Sequence, residues 1–234
     1  VDCLEDTWQI DPKDVLRKIT PKTKAIMPVH LYGHPANMDA ICQIALDNNL
    51  FVVEDCAEAF GSKYKDRHVG SFGDVSAYSF FGNKTITTGE GGMVVTNNPA
   101  LHDKILKLKS QGLVSGRQYW HDVIGYNYRM TNIQAAIGCA QLESSDKILE
   151  QKRALAHYYM DHFQNTEISW QKESDDVLHS YWMFNVIMDI DINQRNTMMD
   201  KLNEKGIETR PLFYPIHTMP IYYKKNEIHP VCEK

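Results

Sequence analysis

Val75-Ser76-Ala77-Tyr78-Ser79-Phe80-Phe81-Gly82-Asn83-Lys84-Thr85-Ile86-Thr87-Thr88-Gly89-Glu90-Gly91-Gly92-Met93-Val94-Val95-Thr96 sets two apolar runs on either side of a lysine and a glycine turn. Val75 to Phe81 reads as a strand, and Met93 to Thr96 as another, entered through Gly91-Gly92. β-branched and aromatic residues bounded by glycine are the composition of strands. Lys84 follows the first strand directly, between Gly82 and the Gly89-x-Gly91-Gly92 turn. Lysine avoids apolar surroundings, whereas glycines let the backbone approach a bulky ligand closely. Burial lowers a lysine's pKa, which is what a Schiff-base nucleophile requires. A solvated loop lysine fits the same spacing.

The pattern continues on both sides. Ala25 to Val29 is a strand, followed by a Gly33/Pro35 turn. Met38 to Asn48 carries Met38, Ile41, Cys42 and Ala45 at helical spacing, with Asn37 as its N-cap. Leu50 to Val53 is a continuous apolar run, expected to be buried on both faces. Pro99 opens a helix whose inner face is Leu101, Ile105 and Leu108. Such alternation predicts an α/β architecture with a mostly parallel sheet. After a loop from Gln111 to Tyr128, one long helical stretch runs from about Thr131 to about Phe163. Beyond it, Tyr181 to Met188 reads as a strand, Ile192 to Lys205 as a helix stopped by Gly206, and Ile207 to Arg210 as a strand. This α+β segment places a boundary near residue 155, with a large domain over 1–155 and a smaller one over 156–234.

Composition narrows the classes. The chain has 234 residues, 43% of them hydrophobic and 24% charged, enough to bury a core. Its net charge of −5, with no basic run, argues against nucleic acid as a partner. No stretch approaches the roughly 20 apolar residues of a membrane-spanning helix. Five cysteines without a Cys-x-x-Cys pair read as reduced thiols in a cytoplasmic protein. Val1-Asp2-Cys3 lacks an initiator Met, and the last six residues finish no element, so the chain reads as the middle of a longer protein.

Asp55 and Glu58 follow the Leu50–Val53 run at its C-terminal end, where open α/β sheets bind ligands. A carboxylate there can hold a metal, cap the next helix, or pair with a cationic ring nitrogen. The lysine loop lacks a Gly-Lys-Ser/Thr ending, and the glycine turn lacks the last glycine of the dinucleotide fingerprint. His157, Asp161 and His162 share a helix, but two ligands at i, i+4 without a third read as a solvated face, so no metal site is expected.

Three blocks in order carry a resemblance: Asp55, then Ser79-x-x-x-x-Lys84, then Gly125-Tyr126-Asn127-Tyr128-Arg129-Met130. Together they resemble the pyridoxal-phosphate-dependent sugar aminotransferases that act on nucleotide-linked keto-sugars, along essentially the whole chain. The resemblance implies a fold-type-I, aspartate-aminotransferase-like large domain and a smaller α+β C-terminal domain, both cut short. It implies pyridoxal 5′-phosphate as cofactor, joined to Lys84, with Asp55 on the ring nitrogen and Ser79 on the phosphate. Glu58, where many relatives carry Gln, is assigned to the ring or its hydroxyl. Asn127 is assigned to the phosphate of the other subunit's cofactor, which implies a homodimer with shared sites. His217 and His30 are assigned to the sugar-nucleotide pocket. The implied substrates are L-glutamate and GDP-4-keto-6-deoxy-D-mannose, aminated at C4, in cytoplasmic synthesis of O-antigen lipopolysaccharide. A dTDP-4-keto-6-deoxyglucose substrate and a non-catalytic binding module are the two rival readings. The family's dehydratase branch replaces the lysine with histidine, so Lys84 points to transamination.

Overall fold

In the computed structural model, which describes residues 1–225 and 227–234, side-chain caps set where the early helices begin. Asp11 accepts the Lys13 amide and starts α1 (Pro12–Lys18), with proline in the first turn. Ala25–Ile26 forms β1. Asn37 accepts the Ala40 amide and starts α2 (Met38–Asp47), as its spacing predicts. β2 (Phe51–Asp55) follows, then a hairpin of β3 (Lys63–Tyr64) and β4 (Arg67–His68), then β5 (Val75–Ser79) and β6 (Gly92–Val95). The main sheet has the order β1-β2-β5-β6. β1, β2 and β5 run parallel, with Asp55 opposite Ala77, and β6 returns antiparallel with Gly92 opposite Ser79. The carboxyl ends of β2 and β5 therefore lie side by side, and the β5–β6 connection that carries Lys84 emerges from that edge.

Met38, Ile41 and Ala45 of α2 pack on Ile26 and Val52, with Val15 and Tyr64 completing the core. Burying an aliphatic side chain of this size contributes roughly 1.5–3 kcal/mol. The two faces of β2 are unequally covered, unlike the expected burial on both: Val52 is buried and Val53 half-buried, whereas Phe51 is 62% exposed.

Strand alternation turns Glu54 to the side opposite Asp55. Its carboxylate is fully buried. Oε1 accepts the amides of Phe72 and Gly73, and Oε2 accepts the Gly70 amide at 2.7 Å and the His30 Nε2–H at 3.2 Å. Burial pushes this carboxyl up, but the His30 ring and the Gly73 and Gly70 amides outweigh that push, so it is held below its ordinary value of 4.5. A carboxyl lowered in the folded state stabilises the fold above its unfolded value, and this stabilisation is lost as pH falls through the native value. Glu54→Ala strands one buried and two part-buried amides together with the buried His30 ring, and is expected to cost about 3–5 kcal/mol. Chemical denaturation from pH 7 down to 3 checks this: the wild type should lose stability below about 4.5, and the variant should lose markedly less over that range.

Asn98 caps α3 (Pro99–Lys109), whose Leu101, Ile105 and Leu108 face is half-buried. The expected single helix from Thr131 is two, α4 (Asn132–Glu143) and α5 (Ser145–Phe163). Ser144 leaves helical geometry at φ −102°, ψ 1° between them. Serine gives its backbone alternatives to the helix, so the break falls there. α4 opens with a reciprocal Thr131/Gln134 capping box.

Past α5, β7 (Ser169–Trp170), β8 (Val177–Leu178) and β9 (Val186–Ile187) precede α6 (Ile192–Glu204), which ends just before Gly206. The expected strand over Tyr181 to Met188 shrinks to β9, because Tyr181 takes φ +48° and turns the preceding residues onto the first half of the chain. Ile207 to Arg210 is not a strand. β8 pairs with β3, giving a second sheet of order β4-β3-β8. No described helix is long and apolar enough to cross a membrane.

Candidate active site

Asp55 ends β2. Its amide donates to Pro28 O at 2.9 Å, and its carbonyl accepts the His30 amide at 3.0 Å. One carboxylate oxygen, Oδ1, accepts the Ala57 amide at 3.0 Å. Among the described residues, nothing donates to Oδ2. Three residues on, Glu58 is largely buried, and its Oε2 accepts the Tyr32 amide at 2.7 Å. Burial raises the Glu58 carboxyl above its ordinary value, while the Tyr32 amide and the Lys84 ammonium pull the other way.

The loop leaving β5 closes on itself: Phe80 N–H donates to Gly91 O, and Thr88 N–H donates to Phe80 O, both at 2.9 Å. Lys84 sits at its turn with a side chain only 14% exposed. Its Nζ lies 4.0 Å from Glu58 Oε1 and 4.1 Å from the centroid of the Trp182 ring. The solvated-lysine reading is thereby excluded for this conformation. Ser79, at the last position of β5, accepts the Phe81 amide at 3.3 Å, and its own hydroxyl hydrogen has no acceptor among the described residues. Thr85 Oγ1, beside the lysine, is buried with no hydrogen-bond partner.

This donor set leaves hydrogen-bonding capacity unspent at one sheet edge: an amine, a carboxylate oxygen and two hydroxyls. An amine for a carbonyl, an acid for a cationic ring nitrogen and a hydroxyl for a phosphate suit pyridoxal 5′-phosphate, so the residues present fit that group.

The remaining expected residues lie elsewhere. Asn127 is exposed on the stretch that bridges Ser110, and it borders a pocket of Ser110, Gln111, Arg129 and Thr131. Gln134, at the start of α4, donates to Glu90 O and ties that stretch to the glycine turn. His217 Nε2 is 2.6 Å from Glu233 Oε1, and its ring lies 4.4 Å from that of His229. His30 is a correction to the expectation that it touches substrate. Its side chain is fully buried, Nδ1 accepts the Ala36 amide, and Nε2–H donates to Glu54, so both ring nitrogens are spent in the core. His30, Glu54 and Cys56 bring ligand atoms within 4.8 Å of one another, but the first two are fully engaged by these hydrogen bonds.

Three aromatic residues complete the site without any signal in the local sequence. Tyr32, at φ +59°, offers its amide to Glu58, stacks on Phe213 at 5.5 Å and on Trp182 at 6.3 Å, and takes the Phe213 amide on its hydroxyl. Gly33 after Tyr32 marked a turn but not a site. Trp182 lay in a stretch that reads as strand core.

Comparison with known proteins identifies the family. The sequence matches the DegT/DnrJ/EryC1/StrS aminotransferase family over residues 1–233. It is 57% identical over 233 residues to the GDP-perosamine synthase of Escherichia coli O157:H7, covering 100% of this chain and 64% of that protein. With the GDP-perosamine synthase of Vibrio cholerae the identity is 48% over 218 residues, covering 93% and 59%. Among solved structures, DesV from S. venezuelae superposes with a TM-score of 0.91 at 33% identity, covering 100% of this chain and 63% of that one. The putative sugar aminotransferase Spr1654 from Streptococcus pneumoniae, in its PLP form, gives a TM-score of 0.88 at 25% identity, covering 95% and 62%. The chain thus spans 64% and 59% of the two perosamine synthases it matches.

Proposed function

The chain belongs to the DegT/DnrJ/EryC1/StrS aminotransferase family, and from that membership we propose that it is the cofactor-binding part of a GDP-perosamine synthase. The enzyme moves an amino group from L-glutamate to C4 of GDP-4-keto-6-deoxy-D-mannose, using pyridoxal 5′-phosphate. One observation carries the reading: a sequestered lysine amine, 4.0 Å from a buried carboxylate, on the loop leaving the strand beside Asp55. The choice of sugar nucleotide rests on the identity of 57% to the Escherichia coli enzyme.

When bound, pyridoxal phosphate supplies an electron sink for the charge left as a proton departs from the amino-bearing carbon. Asp55 would hold the ring nitrogen in its protonated form through a charge-assisted hydrogen bond to its open oxygen. Lys84, whose amine is kept largely out of water, would serve as the general acid–base group that moves this proton once the cofactor is bound. Glu58 faces the lysine amine and would lie against the ring. Ser79, whose hydroxyl hydrogen is unspent, would donate it to the phosphate. In ping-pong order, glutamate would give its amino group to the bound cofactor and leave as 2-oxoglutarate, and that group would then pass to the C4 ketone, whose oxygen would leave as water. The division into 1–155 and 156–234 belongs to the same proposal, with residues 171–182 as the segment by which the second part reaches the first. A cytoplasmic enzyme supplying an amino sugar to O-antigen lipopolysaccharide completes it.

A homodimer with shared sites fits the surface around Asn127. Tyr119, Ile124 and Ile133 are 89%, 86% and 76% exposed, with Tyr126 and Tyr128 between them. An apolar patch of this kind marks an association face. Asn127 stands on that face and would bind the phosphate of the partner's cofactor. Mixing Lys84→Ala with Asn127→Ala subunits is expected to restore part of the activity, through one intact site per hybrid dimer. No recovery in a mixture shown to exchange subunits would count against Asn127 acting across the interface.

The function as a whole is tested by the visible absorption spectrum of the full-length protein with pyridoxal phosphate, before and after L-glutamate. A visible band that glutamate bleaches is expected. A folded protein with no band would overturn the catalytic reading.

A further inference from the structure

We propose that Trp182 is a positioning residue for the reaction, holding the Lys84 side chain against Glu58 with the face of its ring while its Nε1–H fixes the residue before the lysine. The inference rests on the reading above that Lys84 carries the chemistry. Trp182 Nε1–H donates to Asn83 O at 2.8 Å, from 99 positions further along the chain. The Lys84 ammonium lies over the same ring at 4.1 Å from its centroid. An indole face attracts a cation more strongly than the other aromatic side chains do. A tryptophan that only filled the core would need neither contact, since any apolar side chain of similar volume packs there.

The indole is itself held from several directions. The backbone amide of Trp182 donates to Tyr32 O at 3.0 Å, and Lys152 Nζ donates to the Trp182 backbone carbonyl at 3.2 Å. The preceding residue, Tyr181, sits at φ +48°, a costly conformation for a non-glycine residue that persists only where its surroundings impose it. Those surroundings are present. Tyr181 N–H donates to His179 Nδ1 at 2.9 Å, and the Tyr181 hydroxyl donates to Glu173 at 3.0 Å. His179 Nε2 bonds Gln171 at 3.0 Å, and Arg153 grips Glu173 at 2.7 Å. Tyr32, on the other side, has the same left-handed geometry and carries the amide that Glu58 accepts. The Tyr32 amide thus anchors the Glu58 carboxylate, and the turn at Tyr181 delivers the Trp182 ring, the two groups that lie 4.0 and 4.1 Å from the lysine amine. A free lysine side chain has many rotamers; contact with these two groups narrows them, so less ordering is left for the reaction to impose.

The test uses the full-length protein with cofactor removed and its lysines dimethylated with ¹³C-formaldehyde. The Lys84 methyl signal, assigned by its absence in Lys84→Ala, is expected to be shifted upfield by the indole ring current. It should return to the ordinary lysine position in Trp182→Leu and stay shifted in Trp182→Phe. In the unmodified holoenzymes, Trp182→Leu is expected to lower kcat about 10- to 100-fold with the donor KM nearly unchanged, and Trp182→Phe to lower it less. An unshifted Lys84 signal in the wild type, or wild-type kcat in Trp182→Leu, overturns the proposal. If Trp182→Leu fails to fold, the wild-type signal and Trp182→Phe still decide it. Normal turnover in Lys84→Ala would instead overturn the underlying reading of the site, a result distinct from an unshifted signal in an enzyme that needs its lysine.

Discussion

Lys84→Ala is expected to reduce transamination by at least about 10⁴-fold, the upper range for a positioned acid–base group, and to leave the fold standing. The lysine amine is a poor structural element. Its ion-pair partner is at the limiting distance of 4.0 Å, and its remaining contact is the Trp182 ring. Loss of that contact costs about 1–2 kcal/mol, well within the margin of a folded domain. Glu58, whose carboxyl burial already raises, can take up a proton when the ammonium is gone. Turnover of the full-length variant and its thermal unfolding, measured together, check the prediction. Normal kinetics would sink the lysine assignment, and collapse of the fold would make the residue structural.

Asp55→Asn is expected to cost about 100-fold in kcat, from the 1.5–3 kcal/mol that separates a charged hydrogen bond from its loss. Cofactor should be retained with only modest weakening. The local turn survives, since the asparagine oxygen can still accept the Ala57 amide that Asp55 Oδ1 accepts. What is lost is the negative charge on the open oxygen, which in the proposed mechanism keeps the ring nitrogen protonated. Cofactor titration beside steady-state kinetics separates the two effects. A wild-type rate would make Asp55 a turn-former and nothing more.

The parts of the fold that announce themselves in sequence are those set by near neighbours. α2 and α6 begin where Asn37 and Asp191 supply caps, and α6 ends before Gly206. The lysine loop is framed by glycines and flanked by two apolar runs that do form β5 and β6. What stays hidden depends on distant partners. β8 exists because β3 accepts it, and Tyr181 abandons a strand because His179 and Glu173 hold its turn. Tyr32 and Trp182 enter the site through backbone contacts with each other, which no local pattern records. His30 shows the converse failure. Its place after a strand end suggested a ligand contact, but the strand end is covered, and the ring is consumed by Glu54 and Ala36.

The loop that Glu54 gathers has a bearing on how this sequence can drift. What the carboxylate requires from residues 70, 72 and 73 is an amide hydrogen, not a side chain. At Gly70 and Gly73 other constraints close the choice, because an added Cβ would fall 2.4 Å from the Tyr78 hydroxyl and 2.7 Å from Val52 O. Phe72 carries no such restriction on its backbone. Its ring meets Tyr64 edge-on and carries the Arg67 guanidinium 4.2 Å from its centroid, so descendants of this sequence can exchange residue 72 most readily for another aromatic side chain, but not for proline, whose missing amide would undo part of what the buried acid holds together.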